Sequence, residues 1–214
     1  MPWGLKRYHH TGQSHFVTFC CYHRRPLFTA DASERIFENA LERVRRKFRL
    51  RVYGYVVMPE HIHLLLSEPE APLKPKSGLN GPPTPKSGLN GPLTSKLGLN
   101  GPLTLADALK SLKQGVARRL IGDADHFWQT RYYDFNVRNH EQLLEKLHYI
   151  HWNPVKKGLC ERPEDWKWGS FLHHASGCEG LVEIESEWTA RKRERAAGRL
   201  CSAVELPHSS QNRA

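Results

Sequence analysis

The apolar residues of this chain follow two spacings in turn, and the order of these spacings limits the folds that the chain can form. Residues 15–22 (HFVTFCCY) are rich in β-formers and end at a basic turn, HRRP, which is typical of a strand. Between Asp31 and Phe48 the apolar residues recur every three or four positions, which predicts an amphipathic helix with a basic end. Further apolar patterns predict strands at 50–57 and 62–67, a helix at 105–121, a strand at 128–137 and a helix at 140–152. The order β-α-β-β-α-β-α predicts an α+β, ferredoxin-like sandwich with an antiparallel sheet and an additional C-terminal helix.

Three tandem decamers interrupt this pattern between residues 75 and 104: PKSGLNGPPT, PKSGLNGPLT and SKLGLNGPLT. Each carries only one to three leucines, too few for a core, and the repeat is shorter than the ~20-residue units of solenoids. We therefore expect a flexible insertion over residues 70–104 within one domain spanning residues 1–176. The polar, basic segment 177–214 is expected to fray or to pack weakly.

The charge of the chain indicates a polyanionic partner. Lys and Arg total 32 against 22 Asp and Glu, a net charge of +10, which is the balance of a nucleic-acid-binding protein or of a protein that is merely kept soluble by its charge. The five cysteines form no C-x-x-C pair, so the sequence favours neither a disulfide framework nor a cysteine zinc site. With no apolar signal segment and no run near ~18 apolar residues, the chain is predicted to be cytoplasmic and to have no membrane partner.

Two histidines, His61 and His63, follow a Pro-Glu turn at the start of a predicted strand. Because side chains on a strand alternate, both imidazoles are expected on one face, with Ile62 on the other. A chain with 13 histidines contains about one such pair by chance, so two rings satisfied by backbone carbonyls are the better interpretation of the pair taken alone.

The helix predicted at 140–152 carries a tyrosine outside its apolar stripe. That stripe consists of Leu143, Leu144, Leu147 and Ile150. Tyr149 points away from it, and Asn153 lies beside Tyr149 if the helix continues that far, although Pro154 disfavours helical geometry there. A phenol and a carboxamide side by side could attack a substrate and assist metal binding. An ordinary exposed tyrosine has the same spacing.

Three segments together resemble the signatures of REP-associated tyrosine transposases, relatives of the IS200-type single-tyrosine transposases: MPEHIHLLL (58–66), FWQTRYYDFNVRN (127–139) and HYIHWNPVKKGL (148–159). The resemblance covers roughly residues 3–174 without 69–104. It implies that His61 and His63 bind a divalent metal, Mg²⁺ or Mn²⁺, that Tyr149 is the nucleophile, and that Asn153 is a candidate third ligand. Trp152 departs from the pattern, since a small polar residue is common there.

The resemblance also implies the reaction and the partner. The expected substrate is a single-stranded DNA hairpin from a repeated extragenic palindrome, which is cleaved and transferred through a 5′-phosphotyrosine on the additional helix by a monomer or homodimer. The residues expected to contact DNA are basic or aromatic: Arg24, Arg25, Arg45, Arg46, Lys47, Arg131, Tyr132, Tyr133, Arg138, Lys156 and Lys157. Trp128 could also stack on a base, but its aromatic surroundings favour a place in the core.

Two other functions fit parts of the pattern. A nucleic-acid-binding protein without catalysis would need the basic surface but not the histidine pair and the tyrosine. A metal-dependent hydrolase would need the histidine pair but would activate water instead of Tyr149.

Overall fold

The computed structural model describes residues 13–70, 103–122 and 124–204, so the predicted decamer insertion lies almost entirely outside the described residues. Seven elements form the body of the fold in the predicted order: β1 (Ser14–Cys20), α1 (Asp31–Phe48), β2 (Val52–Val57), β3 (His61–Ser67), α2 (Leu105–Leu120), β4 (Tyr133–Val137) and α3 (His140–Lys156). Two helices follow, α4 (Phe171–Ser176) and α5 (Glu187–Val204).

The four strands form one antiparallel sheet in the order β2-β3-β1-β4. This is the strand order that a β-α-β-β-α-β chain needs to keep its hairpin β2-β3 together while β1 and β3 occupy the centre. The predicted α+β, ferredoxin-like fold is confirmed. Within the described parts of the chain, no helix is both long enough and apolar enough to span a membrane.

The two faces of the sheet are covered by different helices. Strand side chains such as Phe19 and Leu64 join the larger core beneath α1 and α2, to which Leu41 and Leu112 contribute. The alternate strand positions, including Phe16, form a smaller core beneath α3. Because the period of a strand is two, His61 and His63 fall on the α3 face.

Polar caps define where two of these helices begin. The Thr104 hydroxyl accepts a hydrogen bond from the Asp107 amide, and the Asp107 carboxylate accepts one from the Thr104 amide, so that α2 starts with a capping box. At α3 the Asn139 side chain accepts from the Gln142 amide at 2.8 Å. Each cap satisfies a donor that the first helical turn leaves unpaired.

Two predicted boundaries need correction. β4 begins at Tyr133 rather than at 128, because Trp128 makes only an isolated bridge to Cys21 and its indole packs into the larger core. α3 continues through Pro154 to Lys156, so Asn153 is helical. Proline costs the helix one amide donor in its last turn, and the Lys157 amide still bonds to the Asn153 carbonyl at 3.0 Å.

The expectation that residues after 177 pack weakly is wrong for the segment that precedes α5. Val182 and Ile184 are each 2% exposed and belong to the larger core. Ile184 forms a parallel bridge to Val52 at the edge strand β2, and the Glu185 amide donates to the Val52 carbonyl at 2.7 Å. The polar composition of the segment conceals two apolar β-formers that cover an otherwise open sheet edge.

This packing predicts that Ile184→Ala lowers the free energy of unfolding by about 2–4 kcal/mol, since it removes a buried aliphatic side chain and leaves a cavity. The matched control is Leu181→Ala, because Leu181 is 43% exposed three residues earlier. Urea unfolding followed by circular dichroism measures both variants. Equal, small losses would show that the segment does not belong to the core.

Candidate active site

Both ring nitrogens of each histidine in the pair lie close to another polar side chain. His61 Nε2 and His63 Nε2 face each other at 3.0 Å, and each residue is 4% exposed. The Thr18 hydroxyl hydrogen-bonds His63 Nδ1 at 2.7 Å from the neighbouring strand β1, where Thr18 is the cross-strand partner of His63. Glu60 Oε1 lies 3.0 Å from His61 Nδ1, an ion-pair distance without hydrogen-bond alignment. The outer nitrogen of His63 is thereby hydrogen-bonded, the outer nitrogen of His61 lies beside a carboxylate, and the two inner nitrogens converge.

Burial keeps both imidazoles neutral at neutral pH. It lowers the pKa of His63 to about 3, and the neighbouring His61, Arg24 and Lys157 act in the same direction. Burial also lowers the pKa of His61, against the opposing effect of Glu60. A neutral imidazole with one nitrogen engaged elsewhere can offer the other as a metal ligand.

Tyr149 reaches the histidine pair from α3. Its ring centroid lies 5.2 Å from that of His63 and 5.8 Å from that of Phe16, both in edge-to-face contacts. The residue is nevertheless 39% exposed. The phenol is therefore positioned against a histidine while part of the side chain remains open to a substrate.

Asn153 supplies a third polar group on the same helix. At about 100° per residue it lies between Tyr149 and the fully buried Ile150. It is 3% exposed, and its Oδ1 atom has no hydrogen-bond donor among the described residues. Burying a carboxamide oxygen without a hydrogen-bond donor costs free energy, and binding a metal ion would offset that cost.

These groups fit a divalent metal with open coordination positions. Two ligand atoms at ~2.1 Å from one ion and at right angles to each other are about 3 Å apart, which is the separation of the two Nε2 atoms. Over residues 13–70, 103–122 and 124–204, no cluster of three or more His, Cys, Asp or Glu side chains could hold a metal. The pair would thus need Asn153, a substrate oxygen or water to complete the coordination.

Some of the predicted DNA-binding residues lie beside this site. Lys156 Nζ is 5.7 Å from the Tyr149 ring centroid. Arg24 and Lys157 are close enough to lower the pKa of both histidines, and Arg24 sits in a short turn with a left-handed φ of 55°. Tyr133 is the cross-strand partner of Thr18, and its ring meets Phe16 at 6.4 Å on the α3 face.

Other predicted DNA-binding residues lie away from it. Arg45 and Arg46 form salt bridges with Glu42 on α1, which covers the opposite face of the sheet. Lys47 lies over the ring of its neighbour Phe48 on the same helix. Tyr132 precedes Tyr133, so its side chain points to the opposite face of the sheet, where it lines a cleft beside α2. The remaining members of the set are exposed and make no described contact with the histidine pair: Arg25, Arg131 and Arg138.

The sequence did not single out Thr18, Glu60 or Phe16, although all three contact site residues. Because Glu60 is adjacent to His61 in the chain, its proximity to the histidine pair could have been predicted from the sequence. Thr18 and Phe16 depend on the register between β1 and β3, which no local pattern determines. Trp128 lies in the core as expected, where its indole N–H donates to the Lys113 carbonyl at 2.9 Å.

Comparison with known proteins shows that this chain is similar to transposases. The sequence model described as "Transposase IS200 like" matches residues 9–74, which include the histidine pair. The REP-associated tyrosine transposase of Escherichia coli (strain K12) is 23% identical over 180 residues, covering 84% of this chain and 88% of the relative. A solved structure of a REP-associated tyrosine transposase bound to a REP hairpin has the same fold, with a TM-score of 0.59, 19% identity, and coverage of 86% of this chain and 93% of the other.

The buried neutral histidines predict a loss of stability in acid. An unfolded histidine has a pKa near 6.5, whereas burial lowers the pKa of native His63 to about 3. Between these two pH values the unfolded chain is protonated at this site and the native chain is not, so acid favours unfolding. Between pH 6.5 and 5 this single site should cost roughly 2 kcal/mol of unfolding free energy. Urea unfolding at pH 7 and pH 5 should show the loss, and His63→Gln should reduce the pH dependence. An undiminished loss in that variant would contradict the assignment.

Proposed function

We propose that this chain is a REP-associated tyrosine transposase of the IS200-like family, which cleaves single-stranded hairpin DNA with Tyr149 and transfers the strand through a 5′-phosphotyrosine. The observation that carries this proposal is the contact between Tyr149 and His63, which places a partly exposed tyrosine against a ring of the buried histidine pair. An isolated surface tyrosine would lack this neighbour.

The reaction is a substitution at phosphorus. The Tyr149 oxygen attacks the scissile phosphate, an O–P bond to the tyrosine forms, and the bond from phosphorus to the 3′ oxygen breaks. The phenol proton passes to water or a base, and the departing 3′ oxygen is released as a hydroxyl. Because the phosphotyrosine keeps the energy of the phosphodiester, a 3′-hydroxyl can reverse the step and join a different strand.

His61, His63 and Asn153 would hold the divalent metal, Mg²⁺ or Mn²⁺. When bound, such an ion neutralises developing charge on the phosphate oxygens and orients them. Two observations support this: the Nε2 atoms of two neutral imidazoles lie 3.0 Å apart, and the buried Asn153 Oδ1 atom has no hydrogen-bond donor among the residues that the structure describes. The positive side chains nearest the site, Arg24, Lys156 and Lys157, would hold the phosphates of the strand.

The proposed DNA partner is a hairpin with an adjoining unpaired segment. The solved relative was captured with a REP hairpin, and the basic residues around Tyr149 offer a place for a strand at the site. An unpaired segment is needed because the phosphate must approach a phenol that protrudes only partly from the helix.

Tyr149→Phe tests the proposal, since it removes the nucleophilic oxygen and little else. It should reduce cleavage of a labelled REP-type hairpin with Mn²⁺ by more than about a thousandfold, as expected when a covalent nucleophile is lost. Hairpin affinity in a gel-shift assay should stay within about twofold. His61→Ala and His63→Ala should remove the metal-dependent cleavage.

The matched control is Tyr53→Phe, which removes another half-buried phenol packed against the smaller core beneath α3 and should keep cleavage. Undiminished cleavage by Tyr149→Phe would contradict the tyrosine mechanism and favour the water-activating hydrolase. Binding without any cleavage by the parent protein would favour the non-catalytic alternative.

A further inference from the structure

The exposed face of α3 carries a tryptophan next to the proposed nucleophile. Trp152 follows Tyr149 by three positions and precedes Lys156 by four, spacings that make neighbours on a helix surface. Both aromatic residues are 39% exposed. Since α3 is helical throughout Tyr149–Lys156, the three side chains occupy one continuous patch.

Trp152 lies on the side of Tyr149 that faces away from the core. At about 100° per residue the outward face of α3 runs from Asn153 through Tyr149 and Lys156 to Trp152 and His148. The Asn153 side is closed, because Asn153 and the histidine pair are buried. A strand with its phosphate at the Tyr149 oxygen must therefore lay its neighbouring nucleotides over the open side, where Trp152 lies.

The indole is supported from behind by one ring. His148, one turn earlier, packs against it with ring centroids 5.7 Å apart and an interplanar angle of 33°. This contact restricts the rotation of the indole and leaves part of its surface exposed. Lys156 lies one turn further on, where its ammonium group can meet a phosphate.

We propose that Trp152 is a positioning residue that stacks on an unpaired nucleobase next to the scissile phosphate. The inference rests on the proposed function, because it takes the substrate to be single-stranded DNA at Tyr149. An unpaired base exposes its π-face, and an exposed indole can stack on any of the four bases. Tyr149, Lys156 and Trp152 would then bind three parts of one substrate: the phosphorus, a phosphate oxygen and a base.

A double-mutant cycle on binding tests the stacking contact. The protein carries Tyr149→Phe so that the strand stays intact, and the probe is a DNA hairpin with an unpaired extension in which single abasic sites replace each base in turn. At one position beside the cleavage site, the abasic strand should bind the Trp152-containing protein roughly 5- to 100-fold more weakly, the size of one base–aromatic contact. The same abasic site should weaken the binding of the Trp152→Ala protein very little. Trp152→Phe should restore most of the dependence of affinity on that base.

Trp188→Ala is the matched control, since Trp188 is a similarly exposed tryptophan (43%) on α5. It should leave affinity and the abasic profile unchanged. Fully additive losses at every position would overturn the stacking contact, whether or not the parent protein cleaves DNA. Coupling together with no cleavage of the unmodified strand by the parent protein would support the contact and contradict the proposed tyrosine chemistry.

Discussion

The pairing of β1 with β3 is the interaction on which the site depends. It places Thr18 opposite His63 and Cys20 opposite His61, on the face that α3 covers. The Thr18 hydroxyl then holds the outer nitrogen of His63 and turns the inner nitrogen towards His61. A shift of this register by one residue would place the threonine on the wrong face and leave a buried imidazole without its partner.

The second constraint is the rotation of α3 about its own axis. Ile150 is fully buried beneath the sheet, which fixes its neighbour Tyr149 at the margin between core and solvent. The helix can come this close because β2 carries Gly54, where an added Cβ atom would lie 2.5 Å from Leu147 Cδ1. An added Cβ atom there would force the Leu147 side chain to move, so the glycine lets this face of α3 pack closely on β2.

Periodicity in the sequence predicted most of the fold, and it failed where the determining contact is distant in the chain. The α1 helix has its predicted limits, and the alternation at 61–63 correctly put both histidines on one face. The segment around Ile184 was missed because two apolar residues among charges carry no periodic signal, whereas their partner Val52 lies more than a hundred residues away. For the same reason charge alone could not separate Arg24, which lies beside the histidines, from Arg45, which pairs with Glu42 and Glu183.

The proposed mechanism requires that the Tyr149 oxygen becomes covalently attached to DNA, so it can be tested by finding the adduct and the residue that carries it. The parent protein is incubated with a hairpin strand and Mn²⁺, denatured and digested, and the DNA-linked peptide is sequenced by mass spectrometry. We expect one adduct, a 5′-phosphate linked to Tyr149, together with a free 3′-hydroxyl on the released strand. A cleaved strand ending in a free 5′-phosphate with no adduct, or an adduct on Tyr133, would contradict it.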